Sequence, residues 1–443
     1  MRIEQIEDKG LAQFSYLVMD DAEIAVIDPA RDPKPYEEYA LLHDARLTTI
    51  IETHSHADFV SSHLELSEAK DATIYTSPAL KAEYHHVPWQ EGEEIQLGQL
   101  TLRALHTPGH SMDSICVLLL DENGKPHAVF TGDTLLIGNV GRPDLRENDA
   151  AGLTTRQELA RQLYRSTRQQ LLTLPDEVLV YPGHGAGSLC GKDISPAKCS
   201  TIGEEKKNNP ALQPMTEEEF VQMITADQPF IPKYFAFDVQ LNRKGAPIFK
   251  SSVKKVPLIE PDHPLEESLL VIDARPQEQF KQGHLPGAIN LQDGAKFETW
   301  LGSVVLPKEE FYLIGESEEA LQQLICRAAS IGYERNIFGA LTTPSNATFT
   351  EPVLDLTTFK ADPDQYTILD VRNAPEAEQK PIFPQALRIP LPELRERLSE
   401  VPTDKPLVVH CASGYRSAVG ASILTKAFPQ ATVYDLSEAV KEF

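Results

Sequence analysis

Four short motifs in the first half of the chain carry histidine and aspartate residues that could bind a metal ion. The motifs are T-H-S-H-A-D, T-P-G-H-S, T-G-D-T and Y-P-G-H-G, and they contain His54, His56, Asp58, His110, Asp133 and His184. Each motif follows an apolar, strand-like stretch, so these side chains would gather along one edge of a sheet. Imidazole and carboxylate groups on loop tips suit an open catalytic metal site, and the absence of cysteine from the set disfavours structural zinc.

A second chemical motif, H-C-A-S-G-Y-R-S, lies near the end of the chain at 410–417. It follows the apolar strand L-V-V and leads into a helix-like stretch, so Cys411 would lie at a strand-to-helix turn. Backbone N–H groups, the positive end of the helix and the charge of Arg416 would all stabilise a thiolate there. We therefore predict a nucleophilic cysteine whose loop binds a persulfide or an oxyanion. The loop residues predicted to contact substrate are Ser413, Gly414 and Tyr415.

The elements that position these motifs fall into three modules. Residues 1–241 alternate short apolar strands, such as 22–28 and 101–106, with loops and a helical pattern at 155–167. A basic, apolar-poor stretch at 242–257 is predicted to be a linker. Beyond it, apolar strands ending in Asp-x-Arg occur twice, at 269–280 and 367–378, and each is followed about forty residues later by another strand. This internal repeat predicts two small parallel α/β domains, 258–345 and 346–443.

Composition excludes several classes of function. The chain has 443 residues and a formal charge of −25, so nucleic acid and anionic membranes are not expected partners. The longest apolar run, 115–120, is too short for a membrane span, and the first residues do not resemble a signal peptide. Five widely spaced cysteines, an odd number, indicate reduced thiols. We expect a cytoplasmic protein that forms a homo-oligomer.

The order and spacing of the histidine and aspartate motifs resemble those of the metallo-β-lactamase superfamily. The resemblance implies an αββα sandwich with its metal at the edges of the sheets. The hydrolytic members, such as glyoxalase II thioesterases, usually complete the pattern H-x-H-x-D-H, whose last two residues hold a second metal ion. Here Phe59 occupies the last position, and a hydrocarbon ring cannot bind a metal. The loss of that donor favours one metal ion rather than two.

Two further stretches, 131–145 and 200–212, resemble the persulfide dioxygenases of the same superfamily. That resemblance implies one Fe(II) per chain, bound by His54, His110 and Asp133, which leaves positions open for substrate sulfur and O2. The implied reaction oxidises a low-molecular-weight thiol persulfide to sulfite and thiol. Residues implied to orient the ligands or to hydrogen-bond the substrate are His56, Asp58 and His184. The persulfide dioxygenases commonly keep a histidine where this chain has Phe59, which departs from the family pattern.

Arg142, which follows the Asp133 loop, could bind a substrate carboxylate or instead pair with Asp144 to shape the loop. Cys190 and Cys199 share the glycine-rich loop after His184, where either thiol could accept or relay sulfane sulfur. We favour Cys199, because it adjoins the stretch that resembles the dioxygenases. Cys116 lies in an apolar strand and is predicted to be a core residue.

Four residues separate Cys411 from Arg416, whereas Cys-based phosphatases more often have five. Together with D-V-R at 370–372, this spacing resembles a rhodanese domain, which implies sulfur transfer through Cys411. The middle module has the rhodanese-like motifs D-A-R at 273–275 and G-H-L-P-G-A-I-N at 283–290, but its matching turn, 314–320, has no cysteine. Glu316 is predicted near the place of the thiolate, and Cys326 in the core, so this domain would be catalytically inactive.

The whole arrangement resembles bacterial fusions of a persulfide dioxygenase with a sulfurtransferase. It implies that sulfite from the iron site meets a Cys411 persulfide and leaves as thiosulfate, or that the rhodanese domain loads the thiol first. Two other classes of function remain open. One is a thioesterase like glyoxalase II with an appended sulfurtransferase, and the other is a non-catalytic sulfur relay or sensor that presents a Cys411 persulfide to a partner.

Overall fold

The computed structural model describes residues 1–147 and 154–443. These residues divide into a first unit, Met1–Ser251 with Ser330–Gly332, and a second unit, Ser252–Ala329 with Tyr333–Phe443. Among the described residues, no helix is both long and apolar enough to cross a membrane. The six residues left undescribed lie inside the first predicted domain.

Six strands form the first sheet of the first unit, in the spatial order β1-β2-β3-β4-β5-β6. They are β1 (Arg2–Asp8), β2 (Gln13–Asp20), β3 (Glu23–Ile27), β4 (Arg46–Glu52), β5 (Thr73–Thr76) and β6 (Val87–Pro88). Two helices, α1 (Lys34–Leu42) and α2 (His63–Lys70), cover one face of this sheet. Tyr36 of α1 and Leu66 of α2 share a buried cluster with Leu17 and Ile50, so this face is closed by apolar packing.

The second sheet also has six strands, in the order β12-β11-β10-β9-β8-β7. They are β7 (Glu94–Leu97), β8 (Leu100–His106), β9 (Ile115–Leu120), β10 (Pro126–Gly132), β11 (Leu179–Pro182) and β12 (Ser200–Thr201). Helix α3 (Arg156–Ser166) lies between β10 and β11, and the helices after β12 are α4 (Ile202–Asn208), α5 (Glu217–Thr225), α6 (Phe235–Lys244) and α7 (Phe249–Lys254). Leu163 of α3 and Phe220 of α5 pack on Leu118 and Val129, and thereby cover the outer face of the second sheet.

Strand β9 shows why the two sheets stack. Its side chains alternate, so Val117 and Leu119 face the cluster that contains Tyr16 of the first sheet, while Leu118 faces the outer helices. All six residues of β9 are buried, which is the pattern of a strand covered on both sides. The layers are therefore helix, sheet, sheet, helix, and the predicted αββα sandwich is confirmed.

The second unit contains two four-stranded parallel sheets. The first has the order β14-β13-β15-β16. Its elements, in chain order, are β13 (Leu270–Asp273), α8 (Gln277–Gln282), β14 (Ile289–Asn290), α9 (Phe297–Val304), β15 (Phe311–Gly315), α10 (Glu318–Ser330) and β16 (Ile337–Thr342). We call it the Cys-less repeat, because the turn after β15 lacks a cysteine.

The second of these sheets has the equivalent order β18-β17-β19-β20 and is also parallel. Its elements are α11 (Leu356–Ala361), β17 (Thr367–Asp370), α12 (Ala374–Gln379), β18 (Leu387–Arg388), α13 (Leu391–Leu394), β19 (Leu407–His410), α14 (Tyr415–Ala427) and β20 (Val433–Asp435). We call it the Cys411 repeat. The shared strand order confirms the internal repeat and the predicted pair of parallel α/β domains.

Residues 242–257, predicted to be a linker, include the last residues of α6 and the whole of α7, and the boundary between the two units falls after Ser251. The limits proposed from the sequence for each domain, 1–241, 258–345 and 346–443, stay predictions.

Candidate metal centre and cysteine loop

Four strand ends bring the predicted metal-binding residues together. His54 follows β4, His110 lies in the loop after β8, Asp133 follows β10 and His184 follows β11. The first three each offer one donor atom, and these atoms all lie within 4.8 Å of one another. His54 Nε2 is 3.9 Å and His110 Nε2 is 3.5 Å from Asp133 Oδ2. All three residues are at most 2% exposed, so the donors converge in a buried pocket.

Asp28 sets the orientation of His54 through Thr53. The backbone N–H and the hydroxyl of Thr53 both donate to the Asp28 carboxylate, at 2.7 Å each. Because the hydroxyl proton points at Asp28, the oxygen of Thr53 accepts from Nδ1–H of His54, 3.0 Å away. The proton on Nδ1 leaves the lone pair of Nε2 facing Asp133.

His110 has the same tautomer for a different reason. Its Nδ1–H donates to the carbonyl oxygen of Arg142 at 2.8 Å, which again leaves Nε2 unprotonated toward Asp133. Asp133 Oδ2 is buried and has no hydrogen-bond partner among the described residues. Two imidazole nitrogens and one unpartnered carboxylate oxygen thus share one pocket, and a divalent cation is the group that this donor set fits.

The electrostatics of the three residues agree with metal binding. Burial holds the pKa of His54 well below the ordinary histidine value, and burial likewise lowers the pKa of His110. Burial alone would raise the pKa of Asp133, but the positive charge of His184, the hydrogen bond from His184 and the two neighbouring imidazoles together outweigh it and hold that pKa far below its usual range. Neutral imidazoles and an ionised carboxylate are the protonation states that a metal requires of its ligands.

His184 lies between two carboxylates. Its Nδ1–H donates to Asp133 Oδ1 at 2.7 Å, and its Nε2 is 2.8 Å from Asp58 Oδ2. Burial would lower the pKa of His184, but the two carboxylates raise it well above the ordinary value. Asp58, His184 and Cys190 form a second group of buried donor atoms within 4.8 Å of one another. The structure therefore places Asp58 and His184 beside the three predicted ligands, and their roles toward ligands and substrate stay predictions.

His56 points into a separate buried cluster. Its Nε2 is 3.1 Å from Asp28 Oδ1 and 3.3 Å from Glu52 Oε2, and Glu52 also lies 3.4 Å from His63 Nδ1. Burial would lower the pKa of His56, but the two carboxylates raise it to about 10. His56 therefore acts on the metal pocket through Asp28, which it shares with Thr53. Its predicted hydrogen bond to substrate stays a prediction.

Phe59 is 1% exposed, and the centroid of its ring lies 4.3 Å from that of the His56 ring and 6.5 Å from that of the His184 ring. Its carbonyl oxygen accepts from the side chain of Asn242 at 2.7 Å, which fixes the backbone after Asp58. An apolar ring thus fills the space beside His184 and offers no donor to it.

Arg142 is bound on every side, which favours pairing with Asp144, the second of its two predicted roles; binding of a substrate carboxylate stays a prediction. Nε and Nη2 donate to the two oxygens of Asp144 at 2.7 Å each. The remaining donors reach the carbonyl oxygens of Leu189, Pro229 and Phe230. At 1% exposure Arg142 holds its own loop in place, and that loop supplies the carbonyl oxygen that orients His110.

The two cysteines of the glycine-rich loop have opposite environments. Cys190 is 1% exposed, beside Asp58 and His184, and burial raises the pKa of its thiol well above the ordinary value. Cys199, which the sequence favoured, is exposed and belongs to none of the three groups of possible metal ligands found among the described residues. Cys116 is a core residue, as predicted, and burial raises its pKa to about 12.

Cys411 follows β19 and precedes α14, as predicted from the sequence. It is 1% exposed, and the backbone N–H of Gly414 donates to its Sγ at 3.2 Å. Gly414 has φ of 105°, a left-handed conformation that favours glycine, and it caps the N-terminus of α14. The sulfur therefore lies against a backbone N–H at the positive end of a 13-residue helix.

Arg416 and Tyr415 are both held by neighbouring side chains or backbone. Arg416 makes two hydrogen bonds to Glu376, at 2.8 and 3.0 Å, and its guanidinium lies 5.9 Å from the centre of the Trp300 ring. The hydroxyl of Tyr415 donates to the carbonyl oxygen of Gln292 at 2.8 Å. Ser413 is exposed on the loop. Trp300 and Gln292 both belong to the Cys-less repeat.

In the Cys-less repeat, strand register puts Gly315 rather than Glu316 at the place of Cys411. Ile314 pairs with Asp273 as His410 pairs with Asp370, so the next residue in each strand, Gly315 or Cys411, is equivalent. Glu316 is the next residue, near this place as predicted, and its side chain accepts from Gln279. Cys326 is partly buried on α10.

Sequence reasoning missed Asp28, Thr53 and Glu376. Asp28 follows the apolar strand A-V-I at the end of β3, which is the same signal that identified Asp133 after β10. Glu376 follows Asp370 by six residues on α12, but nothing in its sequence context predicts its partner.

Comparison with known proteins agrees with this geometry. The family model described as metallo-beta-lactamase superfamily matches residues 8–184, and the rhodanese-like domain model matches 261–338 and 355–443. Human mitochondrial persulfide dioxygenase ETHE1 is 29% identical over 228 residues, which cover 50% of this chain and 80% of that protein. Hydroxyacylglutathione hydrolase GloC of Haemophilus influenzae is 30% identical over 234 residues, covering 48% of this chain and 98% of that protein.

A solved structure described as a metallo-beta-lactamase from Staphylococcus aureus subsp. aureus COL is 30% identical, with a TM-score of 0.68. It covers 77% of this chain and 98% of its own. With the buried donor set at the strand ends, these matches define the class: the chain belongs to the metallo-beta-lactamase superfamily. More particularly, the chain has a metallo-beta-lactamase domain, whose homologues include persulfide dioxygenases, and C-terminal rhodanese-like domains.

Proposed function

We propose that the first unit is an Fe(II)-dependent persulfide dioxygenase and that the Cys411 repeat is a sulfurtransferase that converts the product into thiosulfate. The observation that carries the first half is the pocket of His54, His110 and Asp133, with two fixed tautomers and an unpartnered carboxylate oxygen. Two histidines and one carboxylate are the ligand set of non-heme Fe(II) oxygenases, which keep open positions for substrate and O2. Similarity to persulfide dioxygenases supports the substrate class.

In the overall reaction, one persulfide, one O2 and one water are converted into one thiol, one sulfite and two protons. Iron held by the three residues would supply the O2 chemistry and a binding position for the terminal sulfur. The protein supplies orientation, because Thr53 and the carbonyl oxygen of Arg142 hold the two imidazoles in place. The buried surroundings, with every ligand at most 2% exposed, limit access of bulk water to the reacting sulfur.

Sulfur transfer at Cys411 follows from its position at the start of α14. The Cys411 thiolate attacks the outer sulfur of a persulfide, forms a new S–S bond and releases the carrier thiol. Sulfite then attacks that outer sulfur, the S–S bond to Cys411 breaks, and thiosulfate leaves while the thiolate returns. The Gly414 N–H stabilises the thiolate, and Arg416 supplies positive charge for the anionic partner.

A second candidate function is a metal-dependent thioesterase, which similarity to hydroxyacylglutathione hydrolases supports. The observation that favours it is the group of Asp58, His184 and Cys190, which offers oxygen, nitrogen and sulfur donors close to Asp133. A second metal bound there would complete a two-metal site suited to hydrolysis. Cys199, the loop thiol that the sequence favoured, is exposed and is the one that we propose as an acceptor of sulfane sulfur, because burial raises the pKa of the Cys190 thiol.

Metal analysis and oxygen uptake separate the two candidates. Purified protein should contain about one iron per chain and consume O2 with a low-molecular-weight persulfide. His110→Ala should lose the iron and the oxygen uptake, while sulfur transfer from thiosulfate through Cys411 persists. His85→Ala, which changes an exposed histidine of the same unit, is the matched control and should behave as wild type. Stoichiometric binuclear zinc with thioester hydrolysis and no oxygen uptake would establish the hydrolase instead.

A further inference from the structure

We propose that residues 292–300 of the Cys-less repeat are the positioning element of the Cys411 loop, and that they set its preference for anionic sulfur compounds. This inference rests on the proposed role of Cys411 in sulfur transfer. The Cys-less repeat has no nucleophile at its own turn, yet this segment contacts two residues of the neighbouring loop, Tyr415 and Arg416. Its role would therefore be to complete the site of the other repeat.

Tyr415 is fixed by close contact with this segment. Its hydroxyl donates to the carbonyl oxygen of Gln292 at 2.8 Å. Its ring lies so near Gly294 that a Cβ added there would come within 2.8 Å of Tyr415 Cε2. Burial raises the pKa of Tyr415, so the hydroxyl stays protonated and remains a donor. Tyr415 is the first residue of α14, so its position defines where the helix begins after Cys411.

The segment itself is held by Arg327 of α10. Arg327 donates to both oxygens of Glu298, at 2.5 and 2.7 Å, and to the carbonyl oxygen of Gly294 at 2.8 Å. It also pairs with Asp293. Glu298 is 3% exposed, and a buried carboxylate with two hydrogen bonds from one guanidinium is a rigid arrangement. The loop that contacts Tyr415 is thus fixed by α10 of the same repeat.

Trp300 and Glu376 hold Arg416 from two sides. The guanidinium lies 5.9 Å from the Trp300 ring centre, within the range of a cation–π contact, and makes two hydrogen bonds to Glu376. Trp300 is 9% exposed in the middle of α9, so its ring has little freedom to move away. Because Arg416 is the cationic residue of the loop, its position controls how well an anion is attracted to Cys411. Removing the ring should loosen Arg416 and weaken selection of anions.

The test compares alkylation of Cys411 by iodoacetate, an anion, and by iodoacetamide, its neutral analogue, in the full-length protein with peptide-level mass spectrometry. The ratio of the two rate constants reports the charge presented to the incoming reagent. Trp300→Leu should lower this ratio about threefold to fivefold, and Trp300→Phe, which keeps an aromatic face, should restore most of it. Arg416→Met, which removes the charge itself, should give the lowest ratio of the iodoacetate to the iodoacetamide rate constant. Phe338→Leu changes an exposed aromatic residue of the same repeat and should leave the ratio unchanged.

Steady-state kinetics provide the second readout. Trp300→Leu should raise KM for thiosulfate by about the same factor and change kcat by less than about twofold, because Arg416 binds the anion and Cys411 carries the chemistry. If Trp300→Leu does not fold, Tyr415→Phe, which removes only the hydrogen bond to Gln292, takes its place in the alkylation test and should lower the same ratio of rate constants. An unchanged alkylation ratio in a folded Trp300→Leu protein, even with a lower Tm, would overturn the inference. Absence of thiosulfate-dependent sulfur transfer in wild type would refute the proposed function but leave the alkylation test valid.

Discussion

The two rhodanese-like repeats of the second unit share the same hydrogen-bonded frame after β13 and β17 but differ at the turns after β15 and β19. In each, an arginine two residues after the strand makes paired hydrogen bonds to the strand's last aspartate, Asp273 with Arg275 and Asp370 with Arg372, with Nε to Oδ1 at 2.9 Å in both. Each arginine also reaches a carbonyl oxygen eight residues further on, that of Gly283 or Lys380. The frame is therefore retained in a repeat that has lost its nucleophile.

The difference between the repeats begins at the turns after β15 and β19. Gly315 stands at the place of Cys411, and a Cβ added to it would come within 2.9 Å of Leu321 Cγ on α10. Ser417, six residues after Cys411, corresponds to Leu321, six residues after Gly315. Its side chain is much smaller than that of leucine and donates to the carbonyl oxygen of Gly414. The Cys-less repeat has thus lost both the thiol and the space around it.

The charges of the two turns also differ. Arg416 pairs with Glu376 in the Cys411 repeat, whereas Ala320 stands at the place of Arg416 in the Cys-less repeat, and Gln279, at the place of Glu376, bonds to Glu316. Glu318 and Glu319 then fill the first turn of α10, while no acidic residue occupies the first turn of α14. An anionic sulfur compound would be attracted to one turn and repelled by the other. The Cys-less repeat therefore differs from the Cys411 repeat in both shape and charge.

The comparison is tested most strongly by Cys411→Ser. If the Cys411 repeat alone transfers sulfur, this variant should lose thiosulfate formation by at least about a thousandfold, because a hydroxyl does not replace a thiolate nucleophile. Oxygen uptake with persulfide, measured by an oxygen electrode, should remain close to wild type. Cys326→Ser, in the Cys-less repeat, is the matched control. Residual sulfur transfer in Cys411→Ser would show that the other repeat or the loop of Cys190 carries activity.

Gly315→Cys tests whether the Cys-less repeat has lost more than its thiol. We expect no sulfur transfer in a Gly315→Cys, Cys411→Ser double variant, because the new side chain meets Leu321 and the turn lacks an arginine. Overpacking should lower the free energy of unfolding by about 1–3 kcal/mol. Trp300 fluorescence measures this during urea unfolding in a Trp89→Phe background, since the chain has two tryptophans. Restored transfer would mean that the missing thiol is the sole defect of this repeat.

Much of this architecture follows from the sequence because strand ends carry their own signals. An apolar stretch followed by Asp or His and a small residue predicted the positions of His54, Asp133 and His184, and a repeated Asp-x-Arg predicted the two parallel domains. These signals are local, and parallel strands bring their carboxyl ends to one edge of a sheet. The gathering of these side chains at one edge of a sheet could therefore be predicted from local signals, whereas the αββα sandwich and the choice of His54, His110 and Asp133 as ligands came from the family resemblance.

What the sequence could not supply is the path of loops and the register of strands. Cys190 and Cys199 are nine residues apart in one loop, and only its folded course buries the first beside His184 and exposes the second. Arg142 has the sequence context of a substrate-binding residue, but the folded loop directs its donors to Asp144 and three carbonyl oxygens. The exact residue that matches Cys411, Gly315, is set by strand pairing, which is a long-range property.

The smallest expected effect concerns Glu351, which lies between the two repeats. Its carboxylate is 3.5 Å from His284 Nε2, and its neighbours include Lys281, Asp435 and Thr425. Burial raises the pKa of Glu351 to about 7 from the ordinary 4.5, against the lowering effect of Lys281. Because the folded protein binds this proton more tightly than the unfolded chain does, its contribution to stability is present at low pH and is lost as the pH rises through about 7.

Glu351→Gln should therefore match wild type at about pH 4 and be more stable than wild type by about 1–3 kcal/mol at pH 8, measured by urea unfolding with Trp300 as reporter in the Trp89→Phe background. Glu438→Gln, which changes an exposed glutamate of the Cys411 repeat, is the control and should show no such dependence. If the two repeats unfold together, the pH-dependent gain should also delay the loss of Cys411 alkylation selectivity in urea. A gain confined to the Trp300 signal would instead mean that the Cys-less repeat unfolds independently, and that it can position the Cys411 loop only while both repeats remain folded.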